Sequence, residues 1–262
     1  MEDIFGPGLL KGRVALVTGG GTGIGLSTAT LLSTLGAHVV LAGRREDVVR
    51  DAADNIVAQG NAASSVQLDV RDYEQVAATI AGIVKDQGGL DILVNNAAGN
   101  FRCATEELSP NGWRTVVDID LHGTFNCTRA AFDALSASPY TGRVVSIITS
   151  YGWSGWPGCA PAAAAKAGIQ SLMRTLAVEW GDRNILCNSV APGAIGDTEG
   201  AKRIHDDVGR GDHELSRVPV GRYGERDDIA AAVAYLVSPA GRYVNGTDLV
   251  VDGGRQFSFG TA

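Results

Sequence analysis

The sequence predicts an α/β fold: a doubly wound parallel sheet of about seven strands with helices on both faces. Three observations carry this expectation. Short apolar runs rich in β-formers alternate with helical patterns along the 262 residues. A glycine-rich turn stands between the first apolar run and the first helical pattern. No Pro/Ser-rich linker, charge block, low-complexity tract or internal repeat divides the chain, so one domain over residues 1–262 is expected.

The first strand is Val14-Ala15-Leu16-Val17. Thr18-Gly19-Gly20-Gly21-Thr22-Gly23-Ile24-Gly25 follows directly, and a helical pattern then runs through Leu31, Leu32 and Leu35 to Gly36. In this context glycines let backbone approach a pyrophosphate, while the helix N-terminus offers free N–H groups and a positive dipole end. A Rossmann-type dinucleotide site is therefore expected, with Gly19, Thr22, Gly23, Ile24 and Gly25 at the cofactor. The second strand, Val39-Val40-Leu41, ends in Ala42-Gly43-Arg44-Arg45. An acid near this point suits a ribose diol and a base suits a 2′-phosphate. No acid closes the strand, and the planar forks of Arg44 and Arg45 match a phosphate, so NADP(H) is expected. The alternative is a solvated helix start, with Glu46 and Asp47 near the N-terminus.

The alternation continues. Val66–Val70 reads as the third strand and Tyr73–Asp86 as a helix. Asp91–Val94 is the fourth strand, closing with Asn95-Asn96-Ala97-Ala98-Gly99-Asn100. One long helix should carry Trp113, Val116, Val117, Ile119 and Leu121 towards Phe125 and beyond. Arg143–Ile148 is the fifth strand, followed by a loop and a helix bearing Lys166. Ile185–Val190 is the sixth, ending at Pro192-Gly193. The polar stretch 194–222 suits a mobile substrate lid. A helix around Ile229–Leu236 and a strand at Leu249–Val251 finish the sheet. Ligands of open parallel sheets bind outside the strands' C-terminal ends. Thr18, Asp69, Asn96, Thr149 and Pro192 fall at such ends. Asp69, Val70, Asn96, Ala97, Ala98, Gly99, Pro192, Gly193 and Ile195 are accordingly expected around the cofactor.

Composition narrows the function classes. Twenty-two Lys and Arg against 29 Asp and Glu give a net charge of −7. That balance argues against a nucleic-acid partner and requires local basic groups for anionic ligands. Apolar stretches are of strand length, so no membrane span is expected. Met1-Glu2-Asp3 begins no basic signal region and Phe259-Gly260-Thr261-Ala262 is no peroxisomal signal, so a cytoplasmic location is expected. Cys103, Cys127, Cys159 and Cys187 are widely separated, and the four histidines form no ligand motif; no metal site is expected.

From Arg13 to Gly254 the chain resembles the short-chain dehydrogenases/reductases. The matching pieces are Thr18–Gly25, Asn95-Asn96-Ala97-Ala98-Gly99, Lys166, Asn188, Pro192-Gly193 and Asp252-Gly253-Gly254. More narrowly it resembles the NADPH-dependent 2,4-dienoyl-CoA reductases, through Gly19–Gly23, Leu31-Leu32-Ser33, Asn96–Phe101, Leu108-Ser109-Pro110, Ala165–Gly168 and Thr198-Glu199-Gly200. The wider family has a catalytic tyrosine one helical turn before the lysine; here that residue is Ala162. The narrower family also lacks it. Its mitochondrial form uses a tyrosine fifteen residues before the lysine, which corresponds to Tyr151. Its peroxisomal form uses an aspartate in an Asp-Ile-Asp sequence, which corresponds to Asp120.

The resemblance implies further roles. Lys166 holds the nicotinamide ribose and places positive charge near the reacting oxygen. Thr149 stands where the family usually has its catalytic serine. His122 replaces an asparagine that acts as an oxyanion donor. Asn100, Phe101, Trp153 and Trp156 are candidates for the substrate pocket, and a homotetramer is the implied assembly. Tyr151 and the two tryptophans could equally be packed loop aromatics, Asp120 a helix residue bonded to backbone, and His122 a surface group.

Chemistry gives the missing tyrosine a meaning. Hydride addition to a C=C conjugated with a thioester puts charge on the thioester oxygen, which donors can stabilise without full protonation. Ketone reduction makes an alkoxide that needs a matched acid at once. An enoyl- or dienoyl-CoA reductase is therefore the expected function, on an acyl-CoA-type substrate. A carbonyl reductase using Tyr151 as acid and a catalytically silent NADP-binding subunit remain the alternatives.

Overall fold

The computed structural model describes residues 8–196 and 215–258, and of Tyr151 the backbone alone. Seven strands form one sheet: β1 (Val14–Thr18), β2 (His38–Gly43), β3 (Ala63–Gln67), β4 (Ile92–Asn95), β5 (Gly142–Ile147), β6 (Ile185–Pro192) and β7 (Asp248–Val251). Their spatial order is β3-β2-β1-β4-β5-β6-β7, and every pairing is parallel. The helices between them are α1 (Gly23–Thr34), α2 (Glu46–Ala58), α3 (Tyr73–Gln87), α4 (Pro110–Val117), α5 (Gly123–Ala130), α6 (Phe132–Ser136), α7 (Tyr151–Ser154), α8 (Ala160–Glu179) and α9 (Arg226–Val237).

Strand position explains strand composition. β1, β4 and β5 lie inside the sheet and are buried at every residue; β1 and β4 read as nearly continuous apolar runs, and β5 also buries Arg143 and Ser146. β3 is an edge strand, half-buried and polar in sequence (Ala-Ser-Ser-Val-Gln). That explains a shift from the expected boundaries. The third strand covers Ala63–Gln67 rather than Val66–Val70, and Leu68, Asp69 and Val70 turn out of the ladder towards the cleft.

The apolar residues of the sheet point alternately into two cores. Leu16, Leu93 and Val144 pack with Val76 and Ile80 of α3 and with Ile169 and Met173 of α8. Ala15, Val17, Val94 and Val145 face the other way, against Leu32 of α1, Ile56 of α2 and Val233 of α9. A buried Leu or Ile contributes about 1.5–3 kcal/mol by leaving water, so the two cores are the main attractive term holding the helices on. Local signals finish the helices. The Asp72 side chain caps α3 by accepting from the Gln75 N–H at 3.0 Å, and Gly88, with φ 84°, closes it. Glu225 and Asp228 form a capping box at α9.

The expected single long helix is not continuous. Between α4 and α5 the segment Asp118–His122 makes a π-helical turn. The wider turn shifts the side-chain register, and Asp120 is left 1 % exposed. The chain direction along the sheet reverses between β1 and β4, which opens a cleft above their C-terminal ends. Of the expected lid, residues 197–214 lie outside the described residues. Before that gap Ile195 makes a parallel bridge with Gly224. No helix among the described residues is long and apolar enough to cross a membrane.

Candidate active site

The glycine turn is shaped by contacts that leave no room for side chains. Gly19 has φ 63°, and a Cβ there would stand 2.9 Å from Asn96 Nδ2. A Cβ on Gly25 would meet the Gly19 carbonyl oxygen at 2.3 Å. Gly25 thus lets α1 start directly against the turn. The Asn96 side chain donates to the Thr18 and Gly19 carbonyls at 3.0 and 3.2 Å, and the Thr18 hydroxyl accepts from the Asn96 and Ala97 N–H groups. Thr22 precedes α1 without a side-chain cap, and the first turn carries no acid. The helix N-terminus therefore keeps its N–H groups and positive dipole end for an anion. A bare backbone cradle at an uncapped helix start fits the pyrophosphate of a dinucleotide.

The cleft holds about 1260 Å³. Its walls include Gly19, Thr22, Gly23 and Ile24, then Arg44 and Arg45 at the end of β2, then Asp69, Val70, Asn96, Ala97, Ala98, Gly99 and Asn100. Thr149, Trp156, Ala162, Lys166, Pro192, Gly193 and Ile195 complete the expected residues that it brings together. Asp69 takes a bidentate grip from Arg71, Nε lying 2.9 Å from Oδ1. That pairing holds its carboxyl below the ordinary carboxylate range.

At the centre of the cleft Lys166 Nζ donates to the Ile147 carbonyl at 2.9 Å and stands 3.5 Å from Asp120 Oδ2. The other oxygen of Asp120 accepts from the Gly99 N–H at 2.7 Å. Burial pushes the Asp120 carboxyl up, against the opposing pull of Lys166 and of the Gly99 N–H. The π-helical turn between α4 and α5, the loop after β4 and α8 therefore meet in one charged contact. Thr149 is buried above β5 at the same wall. Ala162 stands one turn before Lys166 and presents only a methyl group.

Several candidates are placed elsewhere. His122 is exposed, its Nδ1 2.9 Å from Asp118 Oδ1, because the π-helical turn that buries Asp120 directs its neighbour outward. His122 does not line the cleft. Phe101 and Trp153 also stand outside its walls, 37 % and 41 % exposed. Gly25 lies behind the cradle and acts through packing. The Tyr151 side chain lies outside the described residues, although its backbone begins the short helix α7 at the cleft. Sequence reasoning did not single out Arg102, Arg217 and Arg255, which also line the cleft. They come from three distant segments, and only the Gly254-Arg255 neighbourhood of a glycine turn hinted at one of them. Among the described residues no group of three His, Cys, Asp or Glu is placed to hold a metal ion.

Known proteins resemble this chain over nearly its whole length. The family model described as Enoyl-(Acyl carrier protein) reductase matches residues 19–256. A protein of Bacillus subtilis (strain 168) named as a probable 2,4-dienoyl-CoA reductase, (2E)-enoyl-CoA-producing, is 38 % identical over 94 % of this chain and 97 % of its own. The peroxisomal 2,4-dienoyl-CoA reductase of Rattus norvegicus, (3E)-enoyl-CoA-producing, is 41 % identical over 97 % of this chain and 87 % of its own. The crystal structure of a Burkholderia cenocepacia J2315 gluconate 5-dehydrogenase in complex with NADP and tartrate superposes with a TM-score of 0.89. It is 33 % identical and covers 95 % of this chain and 96 % of its own. With its cradle, its parallel sheet and these relatives, the chain belongs to the short-chain dehydrogenase/reductase family, and it is an oxidoreductase with a nicotinamide cofactor.

Proposed function

We propose that the protein is an NADPH-dependent reductase of a C=C bond conjugated to an acyl-CoA thioester, with 2,4-dienoyl-CoA as its substrate. One observation carries this reading: Ala162 stands in the cleft wall one turn before Lys166, where a carbonyl reductase needs a hydroxyl acid. When bound, the nicotinamide supplies a hydride. The chain's own groups then have to meet negative charge developing on the thioester oxygen. Lys166 has three donors, of which one is used by Ile147, so it can hold the ribose hydroxyls and keep a positive field beside that oxygen. Asp120 faces Lys166 at 3.5 Å and keeps it oriented in a buried wall of the cleft. Tyr151 is the proposed donor to the oxygen, and the Thr149 hydroxyl is a second candidate donor. Arg44 and Arg45, at the end of β2, support NADPH over NADH through the 2′-phosphate. The full-length match to dienoyl-CoA reductases of two kingdoms supports the substrate class. The same reading takes the protein to be a cytoplasmic homotetramer.

The test is the oxidation of NADPH with 2,4-hexadienoyl-CoA against 3-oxohexanoyl-CoA, repeated with NADH. The expected result is rapid reduction of the dienoyl substrate with NADPH, slower turnover with NADH, and a product two hydrogens heavier with its thioester intact. Faster turnover of the 3-oxoacyl substrate would replace this reading by a carbonyl reductase that uses Tyr151 as acid.

A further inference from the structure

The loop after β4 and the loop before α8 are strapped together at one wall of the cleft. Arg102 Nη2 donates to the Pro157 carbonyl at 3.4 Å, the Cys103 N–H to the Gly158 carbonyl at 2.9 Å, and Asn100 Nδ2 to Cys159 Sγ at 3.6 Å. Asn100, Arg102, Trp156 and Pro157 of these loops line the cleft. Gly155 and Gly158, with φ 80° and 79°, shape the second loop, and the Cys159 N–H closes a turn onto the Trp156 carbonyl at 2.9 Å. Two cysteines from distant parts of the sequence are thereby made neighbours.

The backbone hydrogen bond fixes how near they are. One N–Cα bond, the 2.9 Å hydrogen bond and one peptide unit separate their Cα atoms. Bent as N–H···O=C geometry requires, this path leaves the Cα atoms less than about 7 Å apart, within the reach of a disulfide. The two thiols are unlike. Cys103 is partly exposed, with Sγ 3.3 Å from the Ala104 carbonyl oxygen, and Cys159 is fully buried. Burial pushes the Cys159 thiol up, while the Asn100 hydrogen bond and the Arg102 charge pull it back. Cys127 and Cys187 lie in the core, where burial pushes each up to about 12 with nothing to oppose it. Those two thiols stay protonated and unreactive.

We propose that Cys103 and Cys159 form a reversible oxidation site, whose disulfide draws the two loops together and narrows the cleft between Asn100 and Trp156. A hydroperoxide is the oxidant. Cys103 sulfur attacks one peroxide oxygen and the O–O bond breaks. A sulfenic acid forms on Cys103, and the other oxygen leaves as water (or an alcohol) with the thiol's proton. Cys159 sulfur then attacks the Cys103 sulfur; the S–S bond forms and the sulfenic oxygen leaves as a second water. Two thiols are oxidised and one peroxide is reduced, and an added dithiol reverses the bond by exchange. In the cytoplasm proposed above, such bonds are transient and suit sensing. The consequence for turnover follows from position. Cys159 directly precedes α8, whose first two turns carry Ala162 and Lys166, so the bond pulls on the helix start that places them.

The test exposes the full chain, free of NADPH, to hydrogen peroxide in slight excess. Peptide mapping without reductant should show the Cys103 and Cys159 peptides joined and two hydrogens lighter, within a single chain. The kcat/KM for 2,4-hexadienoyl-CoA should fall on the order of 10- to 10²-fold, the scale of a displacement of about 1 Å, and recover in dithiothreitol. Cys103→Ser should keep its untreated activity and lose the sensitivity. Cys159→Ser should leave a sulfenic acid on Cys103 that dimedone captures; if this buried variant does not fold, the mapping and Cys103→Ser decide by themselves. No joined peptide, a bond to Cys127, to Cys187 or to a second chain, or a joined pair with unchanged kcat/KM would overturn the proposal. The activity readout rests on the thioester-reductase reading. If no thioester is reduced even before oxidation, that reading fails, while the presence or absence of the joined peptide still decides the cysteine pair.

Discussion

Asp120 and Tyr151 are the two groups proposed for one task, and single substitutions separate them. Tyr151→Phe removes a donor and almost no volume. Loss of one oxyanion donor costs roughly 10²–10³ in kcat, or about 2.7–4 kcal/mol. The expected outcome is a fall of that size in steady-state kcat, with the Kd for NADPH from fluorescence titration unchanged. Asp120→Asn keeps an acceptor for the Gly99 N–H but removes the charge facing Lys166. Because burial raises the Asp120 carboxyl, it takes up its proton at a higher pH than a free aspartate. The contact with Lys166 is thus present at high pH and lost as pH falls through that raised value. The acid limb of the wild-type pH–kcat profile should therefore lie above the ordinary 3.8 and vanish in Asp120→Asn. Near-normal kcat in Tyr151→Phe together with a collapse in Asp120→Asn would move the main role to the carboxylate.

At the scale of elements, the joint between β1 and α1 decides whether a cofactor fits. Gly25→Ala drives a methyl into the Gly19 carbonyl, so α1 must retreat from the turn. Overpacking of this kind costs about 1–3 kcal/mol. The expected result is a Tm lower by several degrees and a weakened Kd for NADPH. Gly82 is the control, since it sits inside α3 with nothing within 4 Å of an added Cβ. Gly82→Ala should stabilise by about 0.5–1 kcal/mol through helix propensity and leave NADPH affinity as it was. An equal loss of stability in both variants would show that the joint is not special. The π-helical turn belongs to the same scale: it interrupts an otherwise regular helix at the residue that faces Lys166.

For the whole molecule, the exposed apolar groups ask what covers them. Phe125 of α5 is 50 % exposed and Val178 of α8 is 85 % exposed, and neither residue lines the cleft. The proposed tetramer would bury such helix faces. Light scattering behind a sizing column should give four times the 27.2 kDa of one chain. Val178→Arg and Phe125→Arg should each shift the population to smaller species at micromolar concentration. A monomer in the unaltered protein would reject the assembly.

Periodicity and turn chemistry made the architecture legible in advance. β1 and β4 are buried at every residue, which favours nearly continuous apolar runs, and glycine is the residue that can sit at Gly19 and Gly25. The cofactor end was readable for the same reason, because a strand, a glycine turn and a helix start are neighbours in sequence. The edge strand β3 was misplaced by three residues at its start, since half-exposed strands tolerate polar residues and blur their own ends. The break in the long helix was invisible, because a π-helical turn leaves almost no compositional trace. His122 could not be sorted from Asp120 by position alone; only the shifted register turns one outward and the other towards Lys166. Arg102, Arg217 and Arg255 stand in unrelated stretches of sequence, and folding alone brings their charges to one cleft. What the sequence by itself determined was local: the elements, their order and the cofactor cradle. What only the tertiary structure decided was which distant charges share a space, because a parallel sheet gathers its loops at one end whatever their separation along the chain.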